Sequence, residues 1–374
     1  MGELAFFNPK EKLPDVFEYV DLESVVGIEM LSHRTEEKAT APSRAQRLAH
    51  TGDLFYQTVR PYQKNNYLFE KPEKHYVFST GYAQLRPLVD GYFLLSLVQN
   101  GQFVKTVLDN CTGTNYPAIN ANDLAEIDVF YPKDEHEHHQ IGEYFRHLDN
   151  IIILHQQKIT LLTKLKKAML EKMFPKKGTV IPEIRFNGFA NAWEQRKFSE
   201  LYARSSEKND GSIGMDKNIT VAIMQFKNDV KVSTTEYLKT YYTFKLGDIA
   251  FEGHQSKEFR YGRFVENDIG NGIVSHIFAV FRPIQEYDLY FWKYAINNEA
   301  LMQRILARST KASTMMHDLV TNDFLNETFL VPSVKEQKQI GAFLNKLDNL
   351  ITLHQRKLDM LKKLKSACLS EMFI

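Results

Sequence analysis

The sequence contains the same long helical segment twice. Residues 140–174 and 339–373 align without a gap, and about half of their positions are identical, far more than two unrelated amphipathic helices share by chance. Each copy follows a long stretch of non-repetitive sequence. Such a chain is constrained to fold as two tandem units, each made of a variable part and one copy of the helix.

Apolar residues recur along each copy at alternating spacings of four and three, the pattern of a coiled-coil seam. In the first copy the seam positions are Leu148, Ile152, His155, Ile159, Leu162, Lys166, Met169 and Met173. In the second copy they are Leu347, Ile351, His354, Leu358, Leu361, Lys365, Cys368 and Met372. At about 1.5 Å per residue, each helix is on the order of 50 Å long. The matched histidines are interpreted as polar seam residues that set register rather than as a proton relay.

Each helix begins with a capping box, in which a short oxygen-bearing side chain and a carboxylate three residues later satisfy free amide groups. Asp134 and Glu137 form this pair in the first copy, and Ser333 and Glu336 form it in the second. Short β-type runs and loop composition outside the helices indicate an α+β protein with two α/β heads. The predicted segments are a first head at 1–133, a helix at 134–175, a linker at 176–192, a second head at 181–332 and a closing helix at 333–374.

The composition fits a protein with two globular cores. The chain has 374 residues, of which 43% are hydrophobic and 25% charged, and no apolar run approaches the length of a membrane span. No signal or transit peptide is recognisable, and Cys111 and Cys368 form neither a disulfide framework nor a zinc site, so we expect a reducing, cytoplasmic location. The formal net charge of +1 argues only weakly against nucleic acid, because the distribution of cations matters more than their sum.

The first head contains a basic stretch interrupted by aromatic and amide side chains, a composition typical of nucleic-acid contacts. Its candidate DNA-binding residues are Arg44, Arg47, Arg60, Tyr62, Lys64, Asn65 and Asn66.

The second head repeats the landmarks of the first. Asp53 before an apolar run is matched by Asp248, and Arg86 beside a proline is matched by Arg282, so we assign both arginines to structure. Between the landmarks the heads differ almost everywhere, which predicts a shared frame that binds related but different targets. The candidate DNA-binding residues of the second head are His254, Gln255, Ser256, Lys257, Arg260, Tyr261, Arg263, Arg308, Lys311 and Ser313, with Thr314 beside them.

One segment occurs only once. Residues 182–198, PEIRFNGFANAWEQRKF, precede the second head and have no counterpart before the first. We therefore expect the first unit to begin either in a truncated form, without the opening strand of the second, or with an alternative start.

No phosphate-binding loop or dinucleotide-binding fingerprint occurs in the sequence. Asp15 with Glu37 and Lys38 loosely resembles a metal-dependent nuclease site, for which a solvated loop is the better interpretation. The histidine-rich residues 134–139 miss the spacing that places two imidazoles on one helical face, and the second copy has no histidine there. We interpret this cluster as a helix start rather than a metal site.

Several motifs, taken together, resemble the specificity subunit of type I restriction-modification systems. They are Glu336-Gln337, Gln339-Ile340-Gly341, Leu347-Asp348-Asn349, Leu361-Lys362-Lys363-Leu364 and Met372-Phe373. The first copy departs mildly, with His138 where the second has Gln337. The resemblance covers essentially the whole chain.

This resemblance implies that each head is a target recognition domain for one half of a bipartite double-stranded DNA site. The two helices would pair as an antiparallel coiled coil in a pseudo-two-fold body and set the spacing between half-sites. Two methyltransferase subunits carrying S-adenosylmethionine would dock on this body, and two restriction subunits using ATP and Mg²⁺ can join them. The specificity subunit would itself catalyse nothing and bind no cofactor or metal.

Base edges would be contacted by arginine, lysine, amide and hydroxyl side chains, with other cations on phosphates. The favoured candidates are Arg44, Arg60, Lys64, Asn65, Gln255, Lys257, Arg260, Arg263 and Lys311. Two alternatives stay open from the sequence: a metal-dependent nuclease that uses Asp15, Glu37 and Lys38, and a coiled-coil scaffold that does not bind DNA.

Overall fold

The computed structural model describes residues 1–71, 75–113, 115–227, 234–313 and 316–373. Its contacts divide the chain into two compact units, one formed by Met1–Gln157 with His354–Ile374 and the other by Lys158–Leu353. Each unit therefore contains one head and a part of each long helix. The mixed α and β content predicted from the sequence is confirmed. Among the described helices, none combines the length and the apolar character needed to cross a membrane.

The first head is a β-rich segment followed by three short helices. Its elements are β1 (Ala5–Phe7), β2 (Val16–Val20), β3 (Val25–Val26), β4 (Glu29–Met30), β5 (Arg34–Glu37), β6 (Ala45–Leu48), β7 (Leu54–Gln57), a 3₁₀ turn (Pro61–Gln63), β8 (Tyr67–Leu68), β9 (Tyr76–Ser79), β10 (Tyr82–Pro87), α1 (Gly91–Gln99), α2 (Gly101–Asp109) and α3 (Ala121–Glu126). The first long helix, α4 (Glu135–Lys172), follows it.

The second head has a similar order of elements and ends in the second long helix. Its elements are β11 (Glu194–Lys197), α5 (Phe198–Leu201), β12 (Tyr202–Ser205), a 3₁₀ turn (Met215–Lys217), β13 (Ile219–Thr220), β14 (Gln225–Phe226), α6 (Thr235–Leu238), β15 (Tyr242–Phe244), β16 (Ile249–Glu252), β17 (Arg263–Glu266), β18 (Gly272–Val274), β19 (Ala279–Pro283), α7 (Leu289–Ile296), α8 (Glu299–Ser309), β20 (Thr310–Ala312), β21 (His317–Leu319), α9 (Thr321–Asn326) and β22 (Thr328–Val331). The closing helix is α10 (Val334–Met372).

Both heads contain the same antiparallel four-stranded sheet, which we call the frame sheet. Its strand order is β1-β10-β7-β8 in the first head and β12-β19-β16-β17 in the second. A buried aspartate lies just before a central strand of each frame sheet, and an arginine from the neighbouring strand binds it: Arg86 Nε donates to Asp53 and Arg282 Nε donates to Asp248, each at 2.9 Å. The structural role predicted for both arginines is confirmed.

The strands outside the frame sheet differ between the heads. The first head has a second four-stranded sheet in the order β5-β2-β9-β6, in which β2 and β9 run parallel and the other neighbours are antiparallel. The described part of the second head has the two-stranded ribbons β13-β14, β15-β18 and β20-β21 instead. The repeat is therefore preserved in the frame and lost in this outer layer.

In each unit the long helices contribute side chains to the core of the head. Phe145 of α4 and Leu369 of α10 belong to the core of the first unit, together with frame-sheet residues such as Leu54. In the second unit Phe174 and Leu344 belong to a core built around Trp292. Each head is therefore fixed to the helix segments of its own unit by shared burial.

The two long helices run antiparallel within each unit. In the first unit Lys365 Nζ donates to Asp149 at 2.5 Å, and His155 Nδ1 lies 2.8 Å from His354 Nδ1. In the second unit Lys166 Nζ lies 2.6 Å from Asp348. Asp149 and Asp348 are matched positions of the repeat, as are Lys166 and Lys365, so the same ion pair forms once in each unit.

The predicted seam side chains are buried or half-buried, with one exception. Those in this class are Leu148, Ile152, His155, Ile159, Leu162, Met169, Leu347, Ile351, His354, Leu358 and Leu361. Met372 is 40% exposed, whereas its match Met173 is 2% exposed. Met372 still lies against the start of α4, where it lines a cleft with Tyr144.

Candidate nucleic-acid interface

Two predicted arginines of the first head lie at β6, an edge strand of its outer sheet. Arg44 is exposed and directly precedes β6, and Arg47 lies on the strand and is half-buried. Among the described residues Arg47 Nε has no hydrogen-bond partner, and burial lowers the pKa of the Arg47 guanidinium. A partly desolvated cation without a partner is stabilised when an anion approaches it, which fits a phosphate contact.

Arg60 and Tyr62 form a second exposed part of the predicted surface. Arg60 has a φ of 55°, in the left-handed region, and its guanidinium lies 4.4 Å from the centre of the Tyr116 ring. Tyr62 is exposed on the 3₁₀ turn that follows Arg60. A strained arginine stacked on one aromatic ring and next to another is a group that can stack on a base or contact a phosphate.

The other three predicted residues of this stretch use their polar atoms inside the fold. Lys64 Nζ donates to the Gln99 carbonyl at 2.7 Å, and burial lowers the pKa of the Lys64 ammonium. Asn65 Oδ1 accepts from the Gly27 amide at 2.8 Å, and the buried Asn66 accepts from a backbone amide at 2.9 Å. These contacts hold the loop in place, and a DNA-binding role for the three side chains stays a prediction.

The second head has a cleft of about 670 Å³ between its outer ribbons and the frame sheet. It is lined by cations, imidazoles, hydroxyl groups, apolar side chains and the carboxylates Glu252 and Asp318. Representative lining residues are Arg204, Thr220, Lys227, His254, Ser275, Ile277, His317 and Thr321. A concave surface with several donors beside apolar groups is suited to bases as well as phosphates.

Three of the predicted residues lie at this cleft. His254 is exposed and lines it directly. Gln255 Nε2 donates to Nε2 of the buried His317, and Arg263 binds both Glu252 Oε2 at 2.7 Å and the Ala222 carbonyl at 2.6 Å. Gln255 and Arg263 therefore position the wall of the cleft, while His254 faces its interior.

The remaining predicted residues of the second head lie outside the cleft. Lys257, Arg260 and Lys311 are exposed cations, and the Arg260 guanidinium lies 5.6 Å from the centre of the half-buried Tyr261 ring.

Two serines and one arginine of this set form hydrogen bonds or an ion pair within the protein. Ser256 Oγ accepts from two backbone amides of its own turn, and Ser313 Oγ donates to the Met316 carbonyl at 2.9 Å. Arg308 forms a bidentate ion pair with Glu327. Thr314 lies outside the described residues.

Sequence reasoning missed Arg204, Lys227 and His317, all of which line the cleft. Arg204 is exposed on β12, and it donates to the Val280 carbonyl at 2.8 Å, while partial desolvation lowers the pKa of its guanidinium. The register of β1 and β12 shows that its match in the first head is Phe7. The sequence signal that could have identified Arg204 is a charged residue at a frame-sheet position that is apolar in the other head.

The described residues contain no group of three or more histidine, cysteine, aspartate or glutamate side chains placed to hold a metal ion. In the nuclease-like set, Lys38 Nζ donates to the Leu13 carbonyl at 3.4 Å. At the start of α4, His138 Nε2 donates to the Pro132 carbonyl at 2.6 Å, and His139 binds Asp90 at 3.3 Å. The histidines of this cluster therefore have separate partners.

The sequence matches a known protein family. A family model described as the type I restriction modification DNA specificity domain matches residues 168–363, more than half of the chain. The type I restriction enzyme MjaVIII specificity subunit of Methanocaldococcus jannaschii is 24% identical over 297 residues, which cover 74% of this chain and 67% of that protein.

Solved structures share the fold. The type I restriction-modification S subunit of M. genitalium superposes with a TM-score of 0.63 at 14% identity, over 100% of this chain and 94% of that one. A chain from a structure of complex assembly and conformational transition in the type I system gives a TM-score of 0.52 at 19% identity, over 100% and 96%. The chain belongs to the family of specificity subunits of type I restriction-modification systems.

Proposed function

We propose that this chain recognises a bipartite DNA target, with each head contacting one half-site. The observation that carries the proposal is the contrast between the conserved frame and the different outer layers. Both frame sheets have the same strand order and the same buried aspartate–arginine pair. The outer layers differ in sheet structure and in exposed side chains. Two copies of one scaffold with different surfaces are suited to two different DNA sequences.

In the first head the contacts would come from Arg44 and Arg47 at β6 and from Arg60 and Tyr62. The unpartnered Nε of Arg47 supports a phosphate contact for that residue. Exposed Arg44 is free to approach a base edge in the major groove.

In the second head the cleft would receive the DNA. Lys227, His254 and Arg204 are exposed and line it. Lys257 and Lys311 add exposed positive charge on the same head. Since hydrogen bonds and ion pairs hold the wall residues Gln255 and Arg263, the cleft is preorganised for its target.

The two long helices would form one antiparallel coiled coil with pseudo-two-fold symmetry and set the spacing of the half-sites. Each helix is continuous over 38 or 39 residues. The matched ion pairs Asp149–Lys365 and Lys166–Asp348 support a repeat that pairs with its own copy. In this proposal the two histidines His155 and His354, which contact each other, set the register.

Methyltransferase subunits would dock on apolar patches beside the seam. In the first unit the patch consists of Ile151, Leu154, Met360 and Leu364, all exposed. Matched residues form a second patch in the other unit, Leu161, Leu165, Leu350 and Leu353, each exposed or half-buried. These residues occupy heptad positions c and g, and antiparallel pairing brings the g positions of two helices to the same side. Two equivalent patches support two methyltransferase subunits per chain.

In the assembled enzyme the partners would supply the chemistry. S-adenosylmethionine would be carried by the methyltransferase subunits, and ATP and Mg²⁺ by restriction subunits where these are present. This chain would contribute recognition and assembly without catalysis or a cofactor of its own. Membership of the specificity family favours this function over the nuclease and over the scaffold that does not bind DNA.

The test is the methylation pattern in cells that express the chain with its methyltransferase. We expect a split DNA motif, one half of which changes when residues 1–133 are exchanged for those of a relative and the other half when residues 181–332 are exchanged. Methylated-base sequencing reads both halves at once. A pattern that is unchanged after both exchanges would refute the proposal.

A further inference from the structure

His317 lies at the start of β21, and its backbone is held tightly against the end of a frame strand. The His317 amide donates to the carbonyl of Gly253, the residue after β16, at 2.8 Å. A Cβ atom at Gly253 would clash with the His317 carbonyl oxygen, so glycine is needed for this close approach. The backbone of His317 is therefore fixed relative to the frame sheet.

Two contacts orient the imidazole of His317. Gln255 Nε2 donates to its Nε2, and the Tyr261 ring packs edge-on against it, with ring centres 5.5 Å apart. Because an amide NH₂ group can only donate, Nε2 of the imidazole is the acceptor in this hydrogen bond. Gln255 therefore selects the tautomer that carries its proton on Nδ1.

The Nδ1 donor of His317 has no hydrogen-bond partner among the described residues. The side chain lines the cleft of the second head, yet the residue is only 7% exposed and Nδ1 itself is buried. The carboxylates of the cleft, Glu252 and Asp318, do not supply an acceptor for it. Buried polar groups are nearly always paired, and an unpaired donor costs free energy. An acceptor bound in the cleft would supply the missing partner.

The first head has an apolar residue at the equivalent place. The register of the two frame sheets matches Gly253 with Thr58, and the Thr58 carbonyl accepts from the Ile119 amide at 3.0 Å. Ile119 is buried. The frame therefore accommodates an aliphatic side chain here, and the imidazole belongs with the features that differ between the heads.

The neighbours of His317 in the cleft favour a base over a phosphate as its ligand. Met316 and Ile277 line the same cleft and are 38% and 74% exposed. Apolar side chains suit the edges and methyl groups of bases, whereas phosphates are bound by cations such as the exposed Lys227 and Arg204 of this cleft.

We propose that His317 is a specificity-determining residue of the second head, whose Nδ1–H donates to an acceptor on the edge of one base of the half-site. Gln255 and Tyr261 are its positioning residues. The acceptors available in the major groove are N7 of a purine, O6 of guanine and O4 of thymine. Since Nδ1 is buried, a side chain at the rim moves as the base enters, and the flexible Met316 is adjacent in the chain. The inference rests on the proposed recognition of DNA by the second head.

The test measures methylation rates of the complex between the full-length chain and its methyltransferase. The substrates are duplexes that carry each of the four base pairs at one position of the second half-site at a time. We expect His317→Leu to reduce a preference of about tenfold or more to within about threefold at one position, because the buried donor is lost. The preferences at all other positions should stay as in the parent.

A conservative variant separates the donor from the shape of the side chain. His317→Asn places an amide nitrogen near the position of Nδ1 and should keep most of the preference. Gln255→Leu no longer selects the tautomer and should weaken the preference at the same position only.

Base analogues at that position identify the acceptor. N7 is absent from 7-deazapurines, O6 of guanine is absent from 2-aminopurine, and 4-thiothymine replaces O4 by a weakly accepting sulfur. The analogue that lacks the acceptor should slow methylation by the parent about tenfold and leave the rate of His317→Leu unchanged.

The control within the same cleft is Lys227→Ala, which should slow methylation of every duplex alike and keep all base preferences, since a phosphate contact carries no sequence information. Urea denaturation followed by tryptophan fluorescence checks the second unit in each variant, because both tryptophans lie in its core.

The inference is overturned if His317→Leu keeps every preference, if it slows all duplexes alike as Lys227→Ala does, or if His317→Asn behaves like His317→Leu. A parent complex without base preference in the second half-site would refute the proposed function, and this inference with it.

Discussion

Glu266 of the second frame sheet is a buried carboxyl group that no described residue binds through a hydrogen bond. It lies opposite Ile249 in the sheet and is 2% exposed, and neither carboxyl oxygen has a partner among the described residues. Burial, followed by the nearby carboxylates Asp268 and Asp288, raises the pKa of Glu266 well above its ordinary value. In the first head the matched position is the buried Leu68.

The raised pKa makes stability depend on pH with a defined sign. Below the ordinary carboxyl pKa of 4.5, Glu266 is protonated in both the folded and the unfolded state, and its contribution to stability is fully present. Above that pH the unfolded chain releases the proton while the folded chain keeps it. The folding equilibrium constant then falls about tenfold for each pH unit until the raised pKa is reached, a little over 1 kcal/mol per unit.

The perturbation is Glu266→Gln, which keeps the shape of the protonated group and cannot ionise. We expect the variant and the parent to have similar stability near pH 4.5. From pH 5 upward the variant should gain in folding equilibrium constant relative to the parent, by about tenfold for each pH unit until the raised pKa of Glu266 is reached. Comparing the two proteins at each pH cancels the titration of every other group.

The assay is urea denaturation followed by tryptophan fluorescence. The two tryptophans of the chain, Trp193 and Trp292, both lie in the core of the second unit, so the signal reports on that unit. Equal pH dependence in the parent and in Glu266→Gln would refute the reasoning, because it would mean that Glu266 ionises as freely in the folded state as in the unfolded chain.

Three other predictions concern contacts described above. Asp248→Asn should lower the unfolding free energy of the second unit by about 2 kcal/mol or more in the same fluorescence assay, because it leaves a partly buried arginine poorly paired. The double change His155→Leu and His354→Leu should raise the thermal midpoint of unfolding by a few degrees in calorimetry, because it replaces a polar seam layer with an apolar one. Leu154→Glu places a charge in the patch of the first unit and should abolish binding of the methyltransferase subunit that docks there. The measurement is the ratio of methyltransferase subunits to this chain in the purified complex.

Two of these have a control on the same chain. Asp53→Asn, the matched change in the first head, should leave the tryptophan signal nearly unchanged, since both tryptophans lie in the other unit. Lys167→Glu places the same charge on an exposed helix position outside the patches and should keep the subunit ratio of the parent. A lower thermal midpoint in the double leucine variant would show that the histidine pair stabilises the seam rather than only setting its register.

Features that depend on local spacing could be predicted from the sequence. The long helices begin directly after Asp134 and Ser333, because a capping side chain and an apolar period are encoded within a few residues. Comparison of the two copies also identified Arg86 and Arg282 as frame residues. Both predictions use information that lies within one repeat or is matched between repeats.

Side chains whose partners are distant in sequence could not be assigned in this way. Lys64 donates to the carbonyl of Gln99, and Asn65 accepts from the amide of Gly27, 38 residues away. From composition alone the two side chains looked like free DNA contacts. The cleft of the second head is likewise assembled from separate strands and loops, so Arg204 and Lys227 share no local pattern.

The cross-pairing of the long helices bears on how such a chain can arise. Asp149 pairs with the lysine that matches Lys166, and His155 lies against the histidine that matches itself. A single half-length polypeptide, with one head and one helix, would therefore carry both members of every such contact and could pair with an identical copy. Fusion of two such genes would keep the helix pairing unchanged. It would also free each head to acquire a different outer layer, since a substitution in one half would no longer be imposed on the other.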